Sequence, residues 1–233
     1  MTSRERILQR IRSTLAKTNG MGATGGLSAA GATGGLSASA PAVPPVWPRE
    51  KPSPAALVER FSNELKEVQG EVVRSRSLEE ARRHLVELMD QEKWPLIGAL
   101  DCTATRQLTA GLAPDRVNWV TAEWEPAHIA TLPAGLIAAE KLLADTGSCL
   151  IACGTAPERL MCYLPPACVV VARVDQLAEH LPAVWETVAP RCADLSVRGE
   201  FVIVTGPSRT ADIEKILILG VHGPKRLVVL LVG

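Results

Sequence analysis

The chain reads as an α/β protein, a mostly parallel sheet with helices on both faces. Three observations predict it. Runs such as Pro95 to Leu100, Ala167 to Val171 and Leu227 to Val232 are apolar without alternation, as strands covered on both faces are. Segments of helical period separate these runs, giving about six or seven strands that alternate with helices. Breaker and capping residues stand at the junctions, among them Ser77-Leu-Glu-Glu80 and Thr205-Gly-Pro-Ser208.

The closing stretch from Glu200 to Gly233 organises the rest. Phe201 to Val204 reads as a buried strand and Thr205-Gly206-Pro207-Ser208 as a polar loop. Ile213, Ile216, Leu217 and Leu219 suggest a helix that Gly220 stops, with Pro224 beyond it. Asp212 falls in the first turn of that helix, where a negative charge suits the dipole. Leu227 to Val232 is then a second strand, and two strands joined through a helix are most simply parallel. Gly206 lets the backbone approach a ligand, Ser208 and Thr210 supply hydroxyls, and Arg209 supplies a charged fork for a phosphate or carboxylate. The same residues also read as an ordinary helix cap and a solvated charge. The loop matches neither a Walker sequence nor a dinucleotide fingerprint.

Composition bounds the partners. The 233 residues carry 25 basic and 25 acidic side chains, so no basic face advertises nucleic acid. Five Trp, one Tyr and two Phe supply few stacking platforms. The cysteines Cys102, Cys149, Cys153, Cys162, Cys168 and Cys192 form no Cys-x-x-Cys, so no metal site is expected and the thiols read as reduced and buried. The beginning of the chain lacks the apolar core of a secretory signal, and Leu227 to Val232 is too short to span a bilayer. The expectation is a soluble, cytoplasmic protein with no membrane span.

Residues 1–18 are expected to form an amphipathic helix, with Ile7, Leu8, Ile11 and Leu15 on one face. Residues 19–50 read as a flexible Gly/Ala/Pro-rich linker, in which Gly-Ala-Thr-Gly-Gly-Leu-Ser-Ala occurs at Gly22 and again at Gly31. Residues 51–233 form the α/β domain. It opens with a helix from Ala55 to Val68 and a strand from Glu71 to Arg74, and a second helix follows the Ser77 capping box. Asp101 stands just past the Pro95 strand, as a helix cap or a strand-end site residue. Glu123, Glu125 and His128 read as a surface loop. Apolar runs flank Asp145-Thr146-Gly147-Ser148, which predicts a hairpin whose polar turn could face a ligand together with the Gly206 loop. Gly154 to Arg159 is expected as a loop, Asp175 as the cap of a helix through His180, and Trp185 as an inward residue of the next helix.

The Thr205-Gly-Pro-Ser-Arg-Thr-Ala-Asp-Ile-Glu214 and Leu219-Gly-Val-His-Gly-Pro224 segments together resemble the lactate utilisation protein C family, built on the LUD domain. Asp145-Thr-Gly-Ser148 resembles that family's acidic-Thr-Gly-Ser/Thr turn, where Glu is the more usual first residue, and Arg159 with Leu164-Pro165 resembles the segment that follows. The resemblance covers about Ala55 to Gly233 and the short N-terminal helix. It implies a fold similar to ribose-5-phosphate isomerase and the CoA transferases, which use the strand-end face for anionic substrates. It also implies a place beside two iron–sulfur subunits that oxidise L-lactate to pyruvate. This chain has no Cys-x2-Cys-x2-Cys array and would be the cluster-free member.

Three functions follow as expectations. The first is a cluster-free component of the L-lactate-oxidising system. It would bind a small carboxylate or anionic cofactor through Asp145, Thr146, Gly147, Ser148, Gly206, Ser208, Arg209, Thr210, Asp212 and His222, with the imidazole of His222 polarising a hydroxyl or moving a proton. The second is a stand-alone enzyme on phosphorylated or CoA-linked small molecules, for which Glu140 and Glu200 are the nearest nucleophile candidates. The third is a non-catalytic assembly subunit that uses the tethered N-terminal helix. The sequence supplies no catalytic residue and no cofactor identity.

Overall fold

The computed structural model describes residues 52–193, 200–211, 217–220 and 222–233; the expected N-terminal helix and linker lie outside them. Helix α1, Pro54–Glu67, begins where the Ser53 hydroxyl accepts the Ala56 N–H at 3.2 Å and a proline fills the first position. Strand β1, Glu71–Ser75, leads to helix α2, Leu78–Gln91. Ser77 caps α2 by accepting from Glu80 N, while the Glu80 carboxylate reaches back to Arg76 N at 2.7 Å. Next come β2 (Ile97–Leu100), α3 (Thr103–Thr109), β3 (Val117–Val120), α4 (Pro126–Ala130) and β4 (Ala134–Ala138). The hairpin β5 (Lys141–Leu143) and β6 (Ser148–Cys153) follows, then α5 (Ala156–Met161), β7 (Ala167–Arg173), β8 (Leu177–Ala178) and α6 (Leu181–Ala193). The chain closes with β9 (Glu200–Val204), β10 (Arg209–Ala211), β11 (Leu217–Leu219) and β12 (Arg226–Val232).

Six strands form one sheet in the order β1-β12-β7-β4-β2-β3, every neighbouring pair parallel. Its central strands explain the unbroken apolar runs. In β12, Leu227, Val229 and Leu231 enter one core while Val228 and Leu230 enter the other. In β7, Cys168, Val170 and Ala172 face the first core, and Ala167, Val169 and Val171 the second. Phe61 and Leu65 of α1, Ile129 of α4 and Met161 of α5 close the first core; Leu85 and Met89 of α2 and Leu108 of α3 close the second. Each fully buried side chain of this size contributes about 1.5–3 kcal/mol of transfer free energy.

A second sheet, β8-β5-β6-β9, packs its inner residues Leu142, Cys149, Ile151 and Val204 into the first core. Its outer residues Leu143 and Leu150 meet Val184 and Val188 of α6. Among the described residues no helix is long and apolar enough to cross a membrane.

Several expectations change. No helix follows the Gly206 loop at the positions described: Arg209–Ala211 and Leu217–Leu219 pair antiparallel as β10 and β11. The run from Ile216 to Leu219 satisfies either period, and strand pairing takes the backbone groups of Leu217–Leu219. Consequently β9 and β12 are not parallel neighbours but lie in different sheets. Residues 154–159 are not all loop, because Thr155 caps α5. Between Asp175 and His180 stand a 3-10 turn and β8, and His180 marks a helix start, its Nδ1 accepting from Ala183 N at 3.1 Å. Trp185 points outward, 57% exposed.

Candidate functional site

The turn of the β5–β6 hairpin and the loop after β9 meet against the last turn of α1. Gly147 has φ +63°, and a Cβ there would stand 2.3 Å from Leu65 N. Gly206 has φ +78°, and its Cβ would stand 2.6 Å from the Val68 carbonyl oxygen. Only glycine combines a left-handed backbone with so close an approach. Two loops far apart in sequence are thus seated on one helix end.

The Ser148 and Thr205 hydroxyls lie 2.7 Å apart across this junction. Ser148 Oγ donates to Thr146 Oγ1 at 2.8 Å, and Thr146 donates to Asp145 Oδ1 at 3.3 Å. A hydroxyl has one proton. Since Ser148 gives its own to Thr146, Thr205 is the donor to Ser148, and the chain of hydroxyls is ordered toward the Asp145 carboxylate. Ser148 is buried, Asp145 half-buried, and Thr146 and Thr205 exposed. The turn is fixed further by Ala144 N and Asp145 N, which donate to the carbonyls of Ala178 and Glu179.

Ser208 is not a helix cap. Its N–H donates to the Pro224 carbonyl at 2.8 Å, its carbonyl accepts from Gly220 N at 2.9 Å, and its hydroxyl accepts from His222 N at 3.3 Å. A Cβ on Gly223 would touch Ser208 Cβ at 3.0 Å, so this second loop crosses Ser208 closely. Among the described residues the hydroxyl proton of Ser208 has no acceptor, and it stands near the exposed residue His222. Pro224 precedes β12, and Lys225 N donates to Pro166, which precedes β7. The site therefore lies at the amino edge of the parallel sheet, where Arg226 also forks onto Glu71 at 2.7 and 2.8 Å and reaches Glu92.

Of the residues singled out from sequence, Asp145, Thr146, Gly147, Ser148 and Gly206 come together, and Ser208 meets the backbone of His222. Arg209 and Thr210 enter β10, and Asp212 lies outside the described residues. The sequence reading missed Thr205 as a partner of Ser148, although it is the first hydroxyl after the β9 run. Asp101 is elsewhere and is not the cap of α3, a position held by Cys102. It pairs with Arg106, whose guanidinium lies 4.8 Å over the Trp119 ring, and this pair holds the carboxyl below its ordinary range. Cys149 and Cys168 are packing groups: burial pushes both thiols up, Cys168 to about 12. The Cys162 thiol donates to the Glu158 carbonyl at 3.7 Å, and the interaction of the neighbouring Cys153 and Cys162 side chains raises the Cys162 pKa and lowers that of Cys153. Among the described residues no group of three or more His, Cys, Asp or Glu could hold a metal ion.

Comparison with known proteins places this architecture. A protein named Lactate utilization protein C from Halalkalibacterium halodurans is 32% identical over 101 residues, 40% of each chain. A second of that name, from Macrococcus caseolyticus, is 31% identical over 99 residues, 39% of each chain. Uncharacterized protein YkgG from Escherichia coli K12 is 31% identical over 125 residues, 47% of this chain and 51% of that one. The chain thus spans about half, or less, of the length of the curated relatives it matches. The crystal structure of a DUF162 family protein from Deinococcus radiodurans superposes with a TM-score of 0.56 at 18% identity, over 78% of this chain and 100% of that one, a likeness of fold. The LUD domain family model matches residues 58–232, well over half of the sequence, and the chain belongs to that family.

Proposed function

We propose that this chain serves lactate utilisation as a cluster-free component of a system that oxidises L-lactate to pyruvate. In this reading it binds a small carboxylate or anionic cofactor at the paired turns. The names borne by its relatives support the pathway. The observation that carries the site is the 2.7 Å contact of Ser148 with Thr205, which joins the two stretches where the family resemblance resides. Gly147 and Gly206 bring backbone close, Ser208 gives its proton to the anion, and His222 polarises a hydroxyl or takes a proton from it. The ordered hydroxyl chain holds the two loops in register. The oxidation needs an electron acceptor, and this reading assigns it to iron–sulfur protein partners.

Two experiments test the proposal. Thermal stability of the full chain is measured with L-lactate, pyruvate, CoA and flavins, beside Ser208→Ala and His222→Ala. A compound at one hundred times its dissociation constant adds about 2.7 kcal/mol, and that gain is expected to vanish in both variants. The reconstituted system with its iron–sulfur subunits is then assayed for L-lactate-dependent reduction of an acceptor dye, with and without this chain. Full activity in its absence sinks the reading.

A further inference from the structure

A cavity of about 120 Å³ opens at the opposite edge of the sheet, beyond the carboxyl ends of β4, β7 and β12. It lies where chain direction divides. After β2 the chain passes into α3 on one face of the sheet, and after its neighbour β4 it passes into β5 on the other. Open α/β sheets hold ligands at such a point. Small side chains make the room: Ala104 on α3, Ala138 at the end of β4 with Ala139 after it, and Ala172 on β7.

The polar side chains around this space are Arg173, Gln107 and Gln176, each of which carries N–H donors. Arg173 lines it and pairs with Asp175 through Nε alone, at 3.2 and 3.3 Å, with both side chains about 70% exposed. So loose a surface pair leaves the terminal nitrogens free to turn to a ligand. Gln107 lines it too, and its side-chain amide has no partner among the described residues. Gln176 is occupied, donating to the Ala139 carbonyl at 2.6 Å and accepting from Arg173 N. None of the lining residues is acidic. Beside the cavity, Arg82 holds the Gln107 carbonyl at 2.8 Å, while its own Nε is buried without a hydrogen-bond partner among the described residues. Native folds rarely leave such an atom unsatisfied without a water or a ligand near it.

We infer that this crevice is a binding site for a short-chain monocarboxylate, separate from the paired turns. Arg173 holds the carboxylate, Gln107 gives a second donor, and the alanine floor takes the carbon chain. The volume is well below the ~300–1,000 Å³ of sites for larger ligands. The inference rests on the cavity's size and donors and is independent of the function proposed above.

Calorimetric titration of the full chain with propionate and with pyruvate tests it, with inorganic phosphate as the control anion. Both acids are expected to bind in the millimolar range, and phosphate more weakly than either. Arg173→Gln, an exposed position that leaves the fold intact, weakens the acids about ten-fold or more, as loss of a charged hydrogen bond does. Ala104→Leu fills the space and abolishes binding. Ser208→Ala, at the other edge, bears only on the paired turns, and the binding component that Arg173→Gln removes persists in it. The inference is overturned if neither acid binds, if phosphate binds as well as they do, or if Arg173→Gln retains full affinity. Loss confined to Ser208→Ala also overturns it and moves the acid to the paired turns.

Discussion

At the amino ends of β1 and β12 the structure is made of backbone brought close to backbone, whereas at the carboxyl ends of β4, β7 and β12 it is made of side chains kept small. The paired turns contain two left-handed glycines against one helix end, and a buried serine that bonds both loops. The crevice contains alanines, a loosely held arginine and an exposed amide that has no partner among the described residues. The first region tolerates no added atom. The second has room for several. Rigidity of this kind suits a site that must hold a fixed anion geometry, while unfilled space with free donors suits exchange of a small ligand.

The sharpest way to break this contrast is to add one carbon on each side. Gly147→Ala sets a Cβ 2.3 Å from Leu65 N and keeps φ at +63°, and Gly206→Ala sets one 2.6 Å from the Val68 carbonyl. Each should cost at least about 3 kcal/mol, the left-handed penalty of ~1–2 kcal/mol plus displaced backbone. Gly111 has φ +92° but nothing within 4 Å of its Cβ, so Gly111→Ala isolates the conformational penalty alone, about 1 kcal/mol. Urea unfolding of the three variants reads the difference. If Gly147→Ala costs no more than Gly111→Ala, the turn is not clamped on α1.

Next in size is the hydroxyl junction. Ser148→Ala removes the bonds to Thr146 and Thr205, whose exposed hydroxyls recover water, and about 1–2 kcal/mol should be lost. A double-mutant cycle with Thr205→Val should give a coupling of about 0.5–1.5 kcal/mol. Strict additivity would mean that the 2.7 Å contact does not join the loops energetically. At the other edge, Ala104→Leu adds three carbons into existing space and should change stability by less than about 1 kcal/mol. A larger loss would show the crevice to be closed in solution.

How much of this was legible in the sequence follows from where the signals are local. Leu227 to Val232 and Ala167 to Val171 announced a covered parallel sheet because both faces of β12 and β7 are buried. Asp145-Thr-Gly-Ser148 announced a hairpin because turn chemistry is written in neighbouring residues. The 57-residue separation of Ser148 and Thr205 put their contact beyond periodicity and spacing, although the polar turn and the Gly206 loop already read as able to face one ligand and the family resemblance joined them again. The run Ile216-Leu-Ile-Leu219 reads equally as helix or strand, and pairing with Arg209–Ala211 settled Leu217–Leu219 as strand. The crevice left no mark at all, since alanines spread over α3, β4 and β7 carry no pattern until the topology gathers them.

The smallest effect lies on the carboxyl edge, in the Asp101–Arg106 pair beside α3. Its hydrogen bonds with Arg106 lower the Asp101 pKa, burial opposes them, and the guanidinium charge adds a smaller lowering. A carboxyl whose folded pKa is depressed contributes stability above its unfolded value, ordinarily 3.8 for Asp, and loses that contribution as pH falls through the folded value. Asp101→Asn should therefore lower stability slightly near neutrality and leave the acid limb of the stability curve shallower below about pH 4, so that the two proteins converge in acid. The pair is exposed, so solvent and salt screen it, and added salt should shrink the difference between the two proteins. Urea midpoints near neutrality and at about pH 3 measure the slope. Equal acid losses in both proteins would mean that Arg106 is held over Trp119 by stacking alone, and the wall of α3 would then owe nothing to charge.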